Sequence, residues 1–132
     1  MSLFEVKVSY WGSDEIGATK KFREFYLVDA VSCTDAEARI RAELDGVKDL
    51  SVQSVKELKS TFLENDEEEG YIYKAKVSRL SINEKNGREI EEVSTSYLRA
   101  ADIQDALEAA CEGEYACNVI ALERTKYIGI VI

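Results

Sequence analysis

The sequence predicts an α+β fold made of two pseudo-symmetric ββαβ repeats, with mainly antiparallel sheet and helices on one face. Three observations predict it. Phe4-Glu5-Val6-Lys7-Val8-Ser9 returns as Tyr73-Lys74-Ala75-Lys76-Val77-Ser78, and Tyr26-Leu27 returns as Tyr97-Leu98. Ser32-Cys33-Thr34-Asp35-Ala36 returns in kind as Asp102-Ile103-Gln104-Asp105-Ala106. In each half, two runs of period-2 alternation precede a capped helical pattern, and a third apolar run follows it. A half of about 65 residues is marginal alone, so the two are expected to form one domain over 1–132. Its repeats are 1–63 and 70–132, joined by an acidic connector, 64–69.

The first strand is read from Phe4, Val6, Val8 and Tyr10 alternating with Glu5, Lys7 and Ser9. A polar loop with Gly12 and Gly17 leads to a second strand from about Thr19 to Val31. Ser32 and Asp35 then form a variant capping box before Ala36, Ala38, Ile40, Ala42 and Leu44, and the helix ends near Asp45-Gly46. Val52, Val55 and Leu58 suggest a third strand. The second half runs in the same order. Tyr71 to Leu80 is a strand, Asn86-Gly87 marks a tight hairpin turn, and Glu89 to Leu98 returns. Asp102 and Asp105 head a helix that reaches toward Gly113, and Asn118 to Thr125 is the third strand. The tail Tyr127-Ile128-Gly129-Ile130-Val131-Ile132 does not repeat. Its apolar edge must pair within the chain or with another copy, and a homo-oligomer joined through 127–132 is expected.

Composition narrows the chemistry. The 132 residues contain no histidine, which removes Ser-His and Cys-His nucleophile pairs, imidazole bases and His-containing zinc sites. Three cysteines at irregular spacing, Cys33, Cys111 and Cys117, read as small buried apolar residues rather than a disulfide framework. With a start that lacks signal-peptide character and no apolar run of membrane-spanning length, this predicts a cytoplasmic protein with no membrane partner. The net charge is −9, but each half carries only −2 and the segment Glu64-Asn65-Asp66-Glu67-Glu68-Glu69 supplies −5. No nucleic-acid partner is expected, because long-range attraction to a phosphate backbone is missing. A local basic pocket for a small anion stays open.

Candidate catalytic groups are few. Glu91 and Glu92 are adjacent on a strand, so their side chains face opposite ways, and Asp102 and Asp105 are occupied in starting a helix. The acidic connector lacks the spaced ligands and turn glycine of a calcium loop, and the seven glycines form no phosphate-cradling motif. Neither an enzyme activity, a cofactor nor a metal is expected. Aromatic and basic residues are more suggestive, since rings stack on bases and guanidinium groups pair phosphates. Trp11, Arg23 and Tyr26 near the first hairpin, and Arg88, Tyr97 and Arg99 near the second, are the candidate ligand-binding set. The opposing reading is that the aromatics fill the core and the basic groups coat a wet sheet face.

The string from Tyr26 to Arg39 resembles a signature in a family of small uncharacterised proteins from Bacteroidetes and their phages, labelled only as a domain of unknown function. The resemblance extends to Tyr73-Lys74-Ala75-Lys76, Glu84-Lys85-Asn86-Gly87-Arg88-Glu89 and Tyr97-Leu98-Arg99-Ala100, and the tail after Thr125 departs from it. It implies a phage setting and proteins that build virions or blunt host defence. Combined with the missing catalytic groups, it suggests a non-enzymatic accessory protein that sequesters a small nucleotide-derived immune signal of the host. The alternative is a protein–protein interaction module or inhibitor that uses its acidic surface.

Overall fold

The computed structural model describes residues 2–59, 61–62, 69–111 and 117–132. The fold is α+β, with two helices and two antiparallel-dominated four-stranded sheets among the described residues. The chain divides into two compact units: Met1–Lys59 with Lys126–Ile132, and Ser60–Thr125. The sequence boundary at 63 and 70 therefore differs from the division seen, because the last strand returns to the first unit. Of the acidic connector 64–69, only Glu69 is described; 64–68 lie outside the described residues.

In the first unit β1 (Ser2–Ser13) and β2 (Thr19–Ala30) form a long hairpin, with Ser2 opposite Ala30 and Ser13 opposite Thr19. Asp14 holds the turn by accepting the amides of Ile16 and Ala18, and Gly17 supplies a positive φ of 82°. Helix α1 (Cys33–Glu43) follows, then β3 (Ser51–Leu58), which pairs antiparallel with β1. Alternation sends Phe4, Val6 and Val8 to the face where α1 lies. There they meet Tyr26, Val28, Ala30, and Ala36 and Ile40 of the helix.

The second unit contains a short strand β4 (Thr61–Phe62), the hairpin β5 (Tyr71–Ile82) with β6 (Glu89–Ala100), helix α2 (Ile103–Ala110) and β7 (Cys117–Arg124). Its sheet order is β4-β6-β5-β7, with β4 parallel to β6 and the other pairs antiparallel. Tyr73, Ala75, Val77, Leu98 and Ala100 pack on Ala106 and Ala110 of α2. Asn86-Gly87 lies within a six-residue loop, 83–88, rather than forming a two-residue turn. Asn83 donates to the Arg88 carbonyl across it, and Gly87 sits at φ 67°. The helix α2 stops at Ala110, short of the expected end near Gly113.

Both helix starts are capped as the sequence predicts. Ser32 Oγ accepts the Asp35 amide at 3.1 Å, and Asp102 Oδ1 accepts the Asp105 amide at 2.8 Å. Asp35 in turn accepts from the Val31 amide and from Arg39, and these hold its carboxyl below the ordinary value. Ser32→Ala and Asp102→Ala are each expected to lose about 1 kcal/mol, read as a lower urea midpoint at unchanged slope.

One expectation is corrected. The cysteines are not all small buried residues: Cys111 and Cys117 form a disulfide with Cα atoms 5.8 Å apart, and Cys33 is exposed. The end of α2 and the start of β7 come close enough for this bond, which spacing alone does not reveal. It also removes the cysteine-based support for a cytoplasmic location. The tail, in turn, is paired within its own chain. Tyr127–Val131 forms β8, parallel to β2, and Val131 joins the core under α1. The sheet order is thus β3-β1-β2-β8, and the tail's apolar character is explained without a second copy. Finally, no helix among the described residues is long and apolar enough to cross a membrane.

Candidate functional site

The six candidate residues do not converge on one surface of either unit. In the first hairpin, Trp11 faces Lys21 and Arg23 faces Ser9 on the sheet face turned away from α1. Tyr26 lies opposite Val6 on the other face, buried in the core, and its hydroxyl donates to Glu24 at 2.9 Å. Burial and that carboxylate raise its pKa. Tyr10 donates to the same Glu24 at 2.6 Å and is pushed up to about 12, chiefly by that bond. Tyr26 is a packing and hydrogen-bonding residue here, not an open stacking surface.

In the second hairpin, Tyr97 and Arg99 share the face turned away from α2, opposite Lys74 and Ile72. Tyr97 is only 4 % exposed. Arg88 closes the distal loop, nine residues down β6 from Tyr97 and so roughly 30 Å away along the strand. The sequence alignment of Tyr26 with Tyr97 is out of phase with the strands. Ala30 and Ala100 both end their strands opposite the first residue of the hairpin partner, so Tyr26 corresponds to Ser96 by strand position. A slip of one residue exchanges the two faces.

The open feature of this face is a cleft of about 390 Å³ lined by Lys74, Lys76, Thr95, Ala121, Leu122 and Glu123. Lys74 and Lys76 are two apart on β5, so both ammonium groups project from one face. Lys76 is opposite Thr95 on β6 and Ala121 on β7, and Lys74 is opposite Glu123. The β7 side carries a bulge: Lys76 pairs Ala121 and Val77 pairs Val119, which leaves Ile120 as the extra residue. The small side chain of Ala121 keeps the space above Lys76 open. The result is two cations and a hydroxyl donor around a pocket of small-ligand size, with one carboxylate at its end.

The first unit treats its matching face differently. Glu5, on β1, accepts from the Tyr127 hydroxyl at 2.8 Å and lies 3.1 Å from Lys126 Nζ. Burial acts to raise the Glu5 carboxyl, but Tyr127, Lys126 and Lys56 outweigh it, and its pKa is lowered. The same Lys126 sits 4.2 Å from the Phe25 ring centroid, with Lys7 on that ring as well at 5.8 Å. Here the cations are consumed by an internal carboxylate and an aromatic ring. A signal for the open cleft existed in the sequence, in the lysines alternating within Tyr73-Lys74-Ala75-Lys76. Its other walls, Thr95 and Glu123, come from strands distant in the chain.

The chain belongs to the family described as domain of unknown function (DUF4494), which matches residues 2–130. The match runs to Ile130, so most of the tail belongs to the family pattern rather than departing from it. No curated protein and no solved structure matches the chain.

Proposed function

We propose that this chain is a non-enzymatic binding protein that holds a small phosphate-bearing anion in the Lys74–Lys76 cleft. The observation that carries the reading is the cleft itself: two lysines and Thr95 face a pocket whose volume suits a nucleotide-sized ligand. Glu123 at the Lys74 end limits the charge that fits, so one or two phosphate groups suit it better than a polyanion. The net charge of −9 opposes long-range attraction, and affinity must come from direct contacts inside the cleft. The resemblance to proteins of Bacteroidetes and their phages makes sequestration of a host nucleotide-derived signal the biological reading of such a site.

The proposal includes duplication of one ββαβ unit, followed by divergence. Several features support it. Each sheet places its third, first and second strands side by side, and adds a parallel fourth strand beside the second. The third strand of each carries its bulge at the matching place, at Gln53 between the partners of Lys7 and Val8, and at Ile120 between those of Lys76 and Val77. By strand position Lys74 then stands where Glu5 stands, and Thr95 where Phe25 stands. Replacing the acid and the ring by a lysine and a small hydroxyl converts an internally neutralised face into an open cationic one.

Calorimetry with pyrophosphate, ADP and cyclic dinucleotides tests the reading. Wild-type protein should release or absorb heat with at least one of them, and Lys74→Glu with Lys76→Glu should weaken that ligand by a factor of about 100 or more, since each lysine–phosphate contact supplies about 1.5–3 kcal/mol. Lys76 is exposed and Lys74 half-buried, and neither belongs to the core under α2, so the melting temperature should move little. No heat from any of the three ligand types removes the reading.

A further inference from the structure

Beyond the pairing of β3 and β8, the first hairpin continues as a two-stranded ribbon. β3 reaches Ser9 and β8 begins at Phe25, so among the described residues Tyr10–Ser13 and Thr19–Glu24 have no third strand. Among the described residues the second hairpin does the same: β7 pairs β5 as far as Arg79, and β4 pairs β6 at Ser96 and Tyr97. The distal ribbon then runs through Leu80–Ile82 and Glu89–Glu92. Both ribbons carry exposed charged and apolar side chains.

The two ribbon faces turned away from the helices have opposite chemistry. On the first, Lys21 and Arg23 form a row along β2, both exposed, with Trp11 beside them on β1 at 51 % exposure. On the second, Glu89 and Glu91 form a row along β6, with exposed Leu80 and Ile82 beside them on β5, and Val93 continues the β6 row. Each charged pair is two residues apart on one strand, so both rows have the same spacing of roughly 6.6 Å. Each is flanked on the neighbouring strand by apolar surface. The basic row with a tryptophan on the first ribbon and the acidic row with two aliphatic side chains on the second thus have equal pitch.

We propose that these ribbons bind each other between copies of this chain, the first ribbon of one copy lying face to face on the second ribbon of the next. Lys21 and Arg23 pair with Glu89 and Glu91, and Trp11 packs on Leu80 and Ile82 as the anchor of the contact. Ser78 donates to Glu91 at 2.8 Å and orients that carboxylate. The contact joins two different surfaces of the chain, so it is heterologous.

Sedimentation velocity over a concentration series tests this with three proteins. Wild type should rise above the 14.8 kDa monomer as concentration increases. Lys21→Glu with Arg23→Glu, and separately Glu89→Lys with Glu91→Lys, should each weaken association by about tenfold or more, because each places like charges opposite one another. An equimolar mixture of the two variants should associate again, since the reversed ribbons complement each other in trans. Ile82→Asp should also weaken association while leaving all four charged residues in place. Circular dichroism of each variant establishes that it is folded. A wild-type chain that stays monomeric at every concentration overturns the proposal. So does association that persists in both folded charge-reversal variants, or a mixture that remains monomeric.

Discussion

Ending the chain at Thr125 is expected to lower the stability of the first unit by on the order of 4 kcal/mol. Truncation removes β8, which pairs with Phe25 to Val28 of β2, and takes Val131 out of the core beneath α1. Burial of that valine contributes roughly 2 kcal/mol, and each net ladder hydrogen bond about 1 kcal/mol. Glu5 also loses both of its close partners, Lys126 and Tyr127. For a unit of this size the melting temperature should drop by roughly 15 °C or more, while the association state is unaltered. Unchanged melting would mean that β8 does not hold the first sheet, and a lower oligomer mass would place the tail in a contact between copies.

Part of that difference depends on pH. The folded Glu5 carboxyl lies below its ordinary value of 4.5. A depressed carboxylate contributes stability that is complete above its unfolded pKa and is lost as pH falls through its folded pKa. The gap between full-length and truncated protein should therefore be largest near neutrality and narrow below about pH 4.5. Thermal melts of both proteins along a pH series read this directly.

Gly70→Ala is expected to cost about 3 kcal/mol, from backbone strain and a steric clash together. Gly70 enters β5 at φ 116°, a region that L side chains rarely adopt, and an added Cβ would press on the carbonyl oxygen of Ala100. Neither neighbour can yield cheaply, because Tyr71 and Ala100 are paired in the hairpin register. Gly17 and Gly87 provide the contrast. Both have positive φ, but nothing lies within 4 Å of an added Cβ, so alanine there should cost only about 1 kcal/mol. Equal urea midpoints for Gly70→Ala and Gly87→Ala would contradict the packing described at the start of β5.

What the sequence made legible was local. Ser32 and Asp102 were readable as caps because a cap bonds an amide three residues on. The strands were readable because alternation records which face is buried, as Phe4, Val6 and Val8 do. What escaped depended on residues far apart or on phase. The pairing of β8 with β2 joins positions about a hundred residues apart, and no pattern in either strand names the other. Cys111 and Cys117 meet because α2 ends at Ala110 and β7 begins at Cys117. Among the site candidates, arginines and aromatics drew attention by type. Strand phase then separated Tyr26 from Arg23, and the lysines at 74 and 76 proved to line the cleft with Thr95 and Glu123.

The central claim is that the second unit holds an open anion site where the first is internally neutralised. Amide chemical-shift mapping during a pyrophosphate titration tests it most directly, because both faces are observed in one experiment. Binding in the cleft predicts saturable shifts at Lys74, Lys76, Thr95 and Ala121 to Glu123, with Glu5, Lys7, Phe25 and Lys126 unmoved. Shifts that never saturate, or that move the first unit's residues as much as the second's, would contradict it.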